Sequence, residues 1–180
     1  MVISKFKKHI PFHLYVNEGI YFVTSGTINK NRFFDNDNKL DIILKRLNLA
    51  VKKFNLKLYA WVILSNHYHI LFNLKLGKEL SKLIRFINGG SAFDLNKLED
   101  RLGRKIWWNY WDRNIREESS LYKRINYIHH NPVKHGYVKQ NKNYKYSSYS
   151  YYKEKYGDEF LYDIESRYPI IDFTDINDEL

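Results

Sequence analysis

Ser65-Asn66-His67-Tyr68-His69-Ile70-Leu71-Phe72 sets two imidazoles one residue apart inside an apolar run of strand composition. Side chains alternate across a strand, so His67 and His69 leave the backbone on one face while Tyr68 points to the other. Two neutral imidazoles on one face can hold a single metal ion between them. The plain alternative is two polar residues on a solvated face. Upstream, Leu56 to Leu64 is rich in β formers and Ser65-Asn66 is a short polar link, so the two runs read as a β-hairpin.

Working outward, Ile20-Tyr21-Phe22-Val23-Thr24 is a compact β run that meets a turn signal at Ser25-Gly26. From Asn38 to Phe54 the residues Leu40, Ile43, Leu44, Leu47, Val51 and Phe54 recur at helical spacing, with Asp41 near the start and lysines near the end. Residues 78–88 repeat that spacing, Gly89-Gly90 interrupts it, and a second helical piece runs to about Leu98. The aromatic stretch Ile106 to Trp111 reads as a strand. Glu117 to His130 is a third helix, which Pro132 is expected to end, since the residue before a proline disfavours helical angles. A tyrosine-rich remainder leads into an acidic tail. Strand, helix, strand, strand, helix, strand, helix is not the strict alternation of a parallel sheet. It predicts an α+β fold, an antiparallel ferredoxin-like sheet with helices packed on its faces.

The 180 residues suit one catalytic-sized domain, read as residues 1–152, followed by an acidic C-terminal extension over 153–180. The absence of cysteine removes disulfides, thiolate zinc sites and thiol catalysis. No run approaches the roughly 20 apolar residues of a membrane span, and Met1 to Pro11 lacks the apolar core of a leader, so a soluble cytoplasmic protein with no membrane partner is expected. Residues 1–150 hold 27 lysines and arginines against 11 acidic residues, and residues 151–180 hold 3 against 9. A strongly basic body with 17% aromatic residues suits single-stranded nucleic acid, where cations track phosphates and rings stack on bases. His9 and His13 are too isolated to carry a role.

Two histidines are too few ligands for a catalytic divalent ion, so a third donor must come from elsewhere. Tyr127-Ile128-His129-His130-Asn131-Pro132-Val133-Lys134-His135-Gly136 offers Asn131, one helical turn after Tyr127 and on its face. An ion held by His67, His69 and Asn131 would sit beside the Tyr127 hydroxyl. Tyr122 and Asn126 repeat the same spacing on the same helix and stand as a rival pair. His129 and His130 diverge by about 100° on a helix, so only one could face a pocket, and both read as flanking polar residues.

Asn66-His67-Tyr68-His69, the Trp107 to Arg113 stretch ending Tyr110-Trp111-Asp112-Arg113, the Tyr127 to Gly136 string and Tyr146-Ser147-Ser148-Tyr149 occur in this order over about residues 10–152. Together they resemble the REP-associated tyrosine transposases of the HUH single-tyrosine transposase superfamily, which move insertion sequences as single-stranded DNA. Tyr68 stands where the family name implies a hydrophobic residue, on the face away from the metal.

The resemblance implies His67 and His69 as the metal pair, Asn131 as third ligand and Tyr127 as nucleophile. It implies metal-assisted transesterification of single-stranded DNA bearing a hairpin or repeat, leaving a 5′-phosphotyrosine link and a free 3′-hydroxyl. Exchange of one phosphate ester for another is close to energy-neutral, which fits the lack of any ATP-binding loop. A free phenol has a pKa of about 10, so the tyrosine needs a neighbouring cation or base. Imidazole and amide ligands with substrate oxygens suit Mg²⁺ or Mn²⁺. Arg113, Arg116, Lys123, Arg124 and Lys134 are candidate phosphate contacts. Trp107, Trp108 and Trp111 are candidates for base stacking, with core packing the expected use of at least two. A monomer and a homodimer both fit, and a non-catalytic nucleic-acid-binding regulator on the same fold is the alternative function.

Overall fold

Four runs of β-branched and aromatic residues form β1 (Gly19–Thr27), β2 (Lys57–Ile63), β3 (His67–Leu74) and β4 (Trp107–Ile115) of a computed structural model that describes residue 13 and residues 15–170. His9 and the acidic residues past 170 lie outside the described residues. The strands lie in the order β2-β3-β1-β4 with antiparallel neighbours throughout, the ferredoxin-like arrangement expected from the element order. Helix α1 (Asp37–Lys53), capped by Asn36 accepting from the Lys39 N–H at 3.1 Å, packs beside α2 (Leu80–Leu98).

Strand alternation divides the sheet. Tyr68, Ile70 and Phe72 face α2, and the Tyr68 hydroxyl donates to Asn88 Oδ1 of that helix at 2.8 Å. His67, His69 and Leu71 face the other way, with Phe22 and Thr24 of β1 beside them in register. Helix α3 (Glu118–Lys134) covers this second face, bringing Tyr127 against the rings of Phe22 and His69.

Three local expectations are corrected. The strand β1 does not stop at Ser25-Gly26; it runs to Thr27, absorbing the irregularity as a shift in its pairing with β4 between Ser25 and Thr27. The Thr27 N–H then reaches the carbonyl of Asn66 at 2.8 Å. Helix α2 continues through Gly89-Gly90, because its packing against α1 uses the missing side chain. A Cβ on Gly90 would lie 2.8 Å from the Arg46 side chain, whose guanidinium crosses α2 to hold both Asp94 oxygens at 2.7 Å.

Nor does Pro132 end α3. The helix passes it and closes one turn later at Gly136, with a left-handed φ of 71°. The Gly136 N–H bonds Val133 O at 3.0 Å and the Tyr137 N–H bonds Pro132 O at 2.9 Å, the two bonds of a Schellman ending. Proline removes the bond its own N–H would make and crowds the carbonyl one turn back without stopping the helix, and the glycine sets the true end. Asn131 therefore sits inside a regular turn, fully buried.

The Tyr146-Ser147-Ser148 segment lies along the outer edge of β2. The Ile63 N–H bonds Tyr146 O at 2.9 Å and the Ser148 N–H bonds Trp61 O at 2.9 Å, so backbone groups that a bare edge would expose are paired. Tyrosines that composition suggested for base stacking are partly spent here. Tyr144, Tyr146 and Tyr152 bury their rings and donate to the carbonyls of Ile63, Asp37 and Tyr59. Helix α4 (Tyr149–Arg167), broken at Gly157, packs on α3 through Tyr152, Leu161 and Ile164. Among the described residues no helix is long and apolar enough to cross a membrane.

Candidate active site

The two histidines emerge from β3 with ring centroids 5.0 Å apart and planes at 74°. Each has its Nδ1 engaged. His67 Nδ1 lies 2.8 Å from Asn66 Oδ1, and His69 Nδ1 lies 2.8 Å from the Thr24 hydroxyl, which β1 presents directly opposite in register. Their Nε2 atoms face inward. Asn131 Oδ1 comes from α3 to 3.2 Å from His67 Nε2. Tyr127, one turn earlier, sets its ring 5.3 Å from that of His69 and is 2% exposed. Lys134 holds its ammonium 5.2 Å from the Tyr127 ring centroid, and the exposed His135 puts its ring 5.0 Å from His67.

Thr24, Asn66, His67, His69, Tyr127, Lys134 and His135 line a cavity of about 40 Å³, with Lys134 and His135 exposed and Asn131 outside the lining. That volume suits an ion with a water or two rather than a nucleotide. Burial pushes the His67 imidazolium down to about 3, helped by the charges of His135 and Lys134 and opposed by Asn131. Burial also carries His69 well below its ordinary value, with His67, His135 and Lys134 acting in the same direction. Both rings are neutral at physiological pH, the state in which imidazole ligates metal.

The donor set fits a divalent cation on a specific observation. Asn66 Oδ1 can only accept, so His67 Nδ1 carries the proton and His67 Nε2 presents a lone pair. That lone pair faces another, on Asn131 Oδ1, at 3.2 Å with no proton to share. His69 Nε2 is also buried without a hydrogen-bond partner. A cation placed among the three acceptors turns mutual repulsion into attraction. The reverse rotamer of Asn131 would instead donate its amide N–H to His67 and close the site. Asn131 Nδ2 is itself buried without a partner, and that reverse rotamer would satisfy it. No group of three His, Asp or Glu residues converges among the described residues, so further ligands would be substrate oxygens or water.

The family model described as "Transposase IS200 like" matches residues 16–131, from just before β1 to Asn131 itself. The chain belongs to the IS200-like transposase family. It is 26% identical over 140 residues to the REP-associated tyrosine transposase of Escherichia coli K12, covering 75% of this chain and 79% of that protein. Its fold matches that of a REP-associated tyrosine transposase solved bound to a REP hairpin, with a TM-score of 0.70 at 23% identity, over 81% of this chain and 86% of the other.

In this member of the family the rival pair is used differently. Tyr122 stacks on Tyr168 with centroids 4.9 Å apart, and Asn126 donates to the carbonyls of Ile164 and Tyr168, so both fasten the end of α4. His129 turns from the cavity toward α4 and the β2 edge, its Nε2 2.9 Å from Ser148 Oγ. Of the basic candidates, Arg113 and Arg116 are exposed, Lys123 is half-buried and Lys134 lines the cavity. Arg113 lies opposite Phe22 in register and so shares the sheet face of the site. Arg124 differs from these: it is buried, lies 5.6 Å over the Phe22 ring and donates to Ser120, and burial with Arg113 nearby lowers it to about 10, still charged. Trp107 is buried and donates to Ser91, Trp111 is half-buried, and Trp108 is exposed with Lys105 stacked on it at 4.4 Å.

Thr24, Asn66 as a partner of His67, and His135 are not marked by local sequence pattern. Thr24 reaches His69 only through a cross-strand register, which local pattern does not carry. His135 was visible as a titratable residue in the Tyr127 string, but its approach to His67 depends on the helix continuing past Pro132.

Proposed function

We propose that this chain is a metal-dependent single-stranded DNA endonuclease and strand transferase that works through a 5′-phosphotyrosine intermediate on hairpin or repeat DNA. One observation carries the reading: Tyr127 of α3 shares an ion-sized cavity with two neutral imidazoles of β3, of which His69 Nε2 has no hydrogen-bond partner and His67 Nε2 faces Asn131 Oδ1 at 3.2 Å. A single tyrosine beside such a pair suits attack on a phosphodiester, and the chain's family and the REP hairpin bound by its structural neighbour support the substrate class.

In the reaction the Tyr127 oxygen attacks phosphorus, the bond to the 3′-oxygen breaks, and that oxygen takes up a proton to leave as a 3′-hydroxyl. The phosphate remains on Tyr127 as a 5′-linked ester. The same 3′-hydroxyl, or another, reverses the step and rejoins strands, so each ester broken is replaced by one formed. The Lys134 ammonium over the Tyr127 ring favours negative charge on the phenol as its proton departs. Mg²⁺ or Mn²⁺ held by His67, His69 and Asn131 would supply Lewis-acid polarisation of the phosphate. Arg113, Arg116 and Lys123 bind the flanking backbone.

The test is incubation of a hairpin-bearing single-stranded DNA with the protein and Mn²⁺. Strand cleavage that EDTA abolishes while binding largely survives is expected. Salt-sensitive binding with no cleavage under any divalent ion would contradict the proposal and point to a regulator.

A further inference from the structure

The cavity histidines are held from behind by two residues outside the donor set. We infer that Asn66 and Thr24 are the positioning residues of the centre: each accepts the Nδ1–H of one histidine and so fixes both rings with their Nε2 lone pairs toward the cavity before a cation arrives. This deepens the reading of His67 and His69 as a metal pair and rests on it.

For His67 the assignment follows from the locked amide of Asn66. Its Nδ2 donates to Lys30 O at 3.3 Å, and its backbone carbonyl accepts the Thr27 N–H at 2.8 Å, so the residue is tied on both sides. Oδ1 is thereby left toward His67 Nδ1 at 2.8 Å, and an amide oxygen has no proton to give. The preceding Ser65 is tied by its N–H to the Tyr137 hydroxyl at 3.2 Å, which anchors the turn that carries Asn66.

For His69 the Thr24 hydroxyl can donate or accept, so the ring's other nitrogen decides. His69 Nε2 is buried and has no hydrogen-bond partner. A proton there would be an orphaned N–H, whereas a bare lone pair is an open ligand; the proton therefore belongs on Nδ1, donated to Thr24 Oγ1 at 2.8 Å. The two contacts arise from different parts of the chain, one from the turn before β3 and one from the neighbouring strand, yet they impose the same tautomer.

The experiment is a long-range ¹H–¹⁵N correlation on the full, uniformly labelled, metal-free chain, followed by Mn²⁺ titration of variants. Both rings are expected to show a protonated Nδ1 and a bare Nε2. Thr24→Val, of the same shape without the acceptor, is expected to lose the His69 tautomer preference and to bind Mn²⁺ about 10–100-fold more weakly, with Thr24→Ser restoring both. Asn66→Asp, which keeps the acceptor, is expected to hold the His67 tautomer. An Nε2–H signal from either histidine in the unsubstituted chain overturns the inference, as does Thr24→Val with tautomer and Mn²⁺ affinity unchanged. If the unsubstituted chain shows the expected tautomers but binds no Mn²⁺, the metal reading fails while the positioning of the rings stands.

Discussion

Asn131 Oδ1 lies 3.2 Å from His67 Nε2, which with the ring proton on Nδ1 sets two acceptors together from a helix and a strand 64 residues apart in sequence. Such a contact is unfavourable in isolation, and burial of both residues denies it water as a remedy. It becomes favourable with a cation in common. Asn131→Ala is therefore expected to weaken Mn²⁺ binding by at least the roughly 10–100-fold that losing a hydrogen-bond partner of a ligand costs. Asn131→Asp, isosteric and negatively charged, is expected to tighten it. Calorimetric or paramagnetic titration of the full chain checks both, and an alanine variant that binds Mn²⁺ like the unsubstituted chain removes Asn131 from the ligand set.

The placement of Asn131 depends on how α3 ends. Gly136 adopts a φ of 71°, which side chains resist, and a Cβ there meets no atom within 4 Å. Gly136→Ala is thus a purely conformational change, expected to lower stability by about 1 kcal/mol. Urea denaturation reads the loss; an unchanged midpoint would show that the chain does not use the left-handed ending in solution.

The α3 helix shows most plainly how far the sequence could be read. Hydrophobic spacing located α1, β2, β3 and α3, because burial of one face imposes its period on the residues. Tyr127 and Asn131 shared a face by that same period. What local pattern could not supply was the contest between two stop signals: Pro132 carries a steric bias, but Gly136 closes the backbone bonds, and only the closed helix keeps Asn131 buried and brings His135 to His67. The double glycine of α2 misleads for a related reason, since the Arg46 side chain that fills its space comes from another helix. Likewise Thr24 is an ordinary strand residue until the β1–β3 register places it against His69.

Buried neutral histidines make stability sensitive to acid. His129, packed between Tyr149 and Tyr152, is held by burial at about 3 against an ordinary 6.5. Above 6.5 neither state is protonated and no penalty exists. As pH falls from 6.5 toward 3 the unfolded chain takes up a proton that the folded chain refuses, so stability declines by at most about 1.4 kcal/mol per pH unit for this group. His129→Gln is expected to make the decline shallower by about one proton in urea denaturation at pH 7, 6, 5 and 4. Identical slopes would mean that His129 is protonated in the folded protein.

Arg113 and Arg124 separate a proposed DNA contact from a structural cation. Arg113→Ala is expected to reduce the slope of log binding constant against log salt for single-stranded DNA by about 0.7, the share of one phosphate contact. Arg124→Ala removes a buried guanidinium packed on Phe22 and is expected to lower the unfolding midpoint. The opposite assignment, a salt-slope change for Arg124 and none for Arg113, would relocate the DNA path.

In the proposed reaction Tyr127 becomes covalently joined to DNA. Mass spectrometry of the proteolysed adduct formed with hairpin-bearing single-stranded DNA and Mn²⁺ tests it most directly. A phosphonucleotide is expected on the peptide containing Tyr127, lost in Tyr127→Phe and retained in Tyr122→Phe. An adduct that survives Tyr127→Phe, or one mapped to Tyr122, would contradict it.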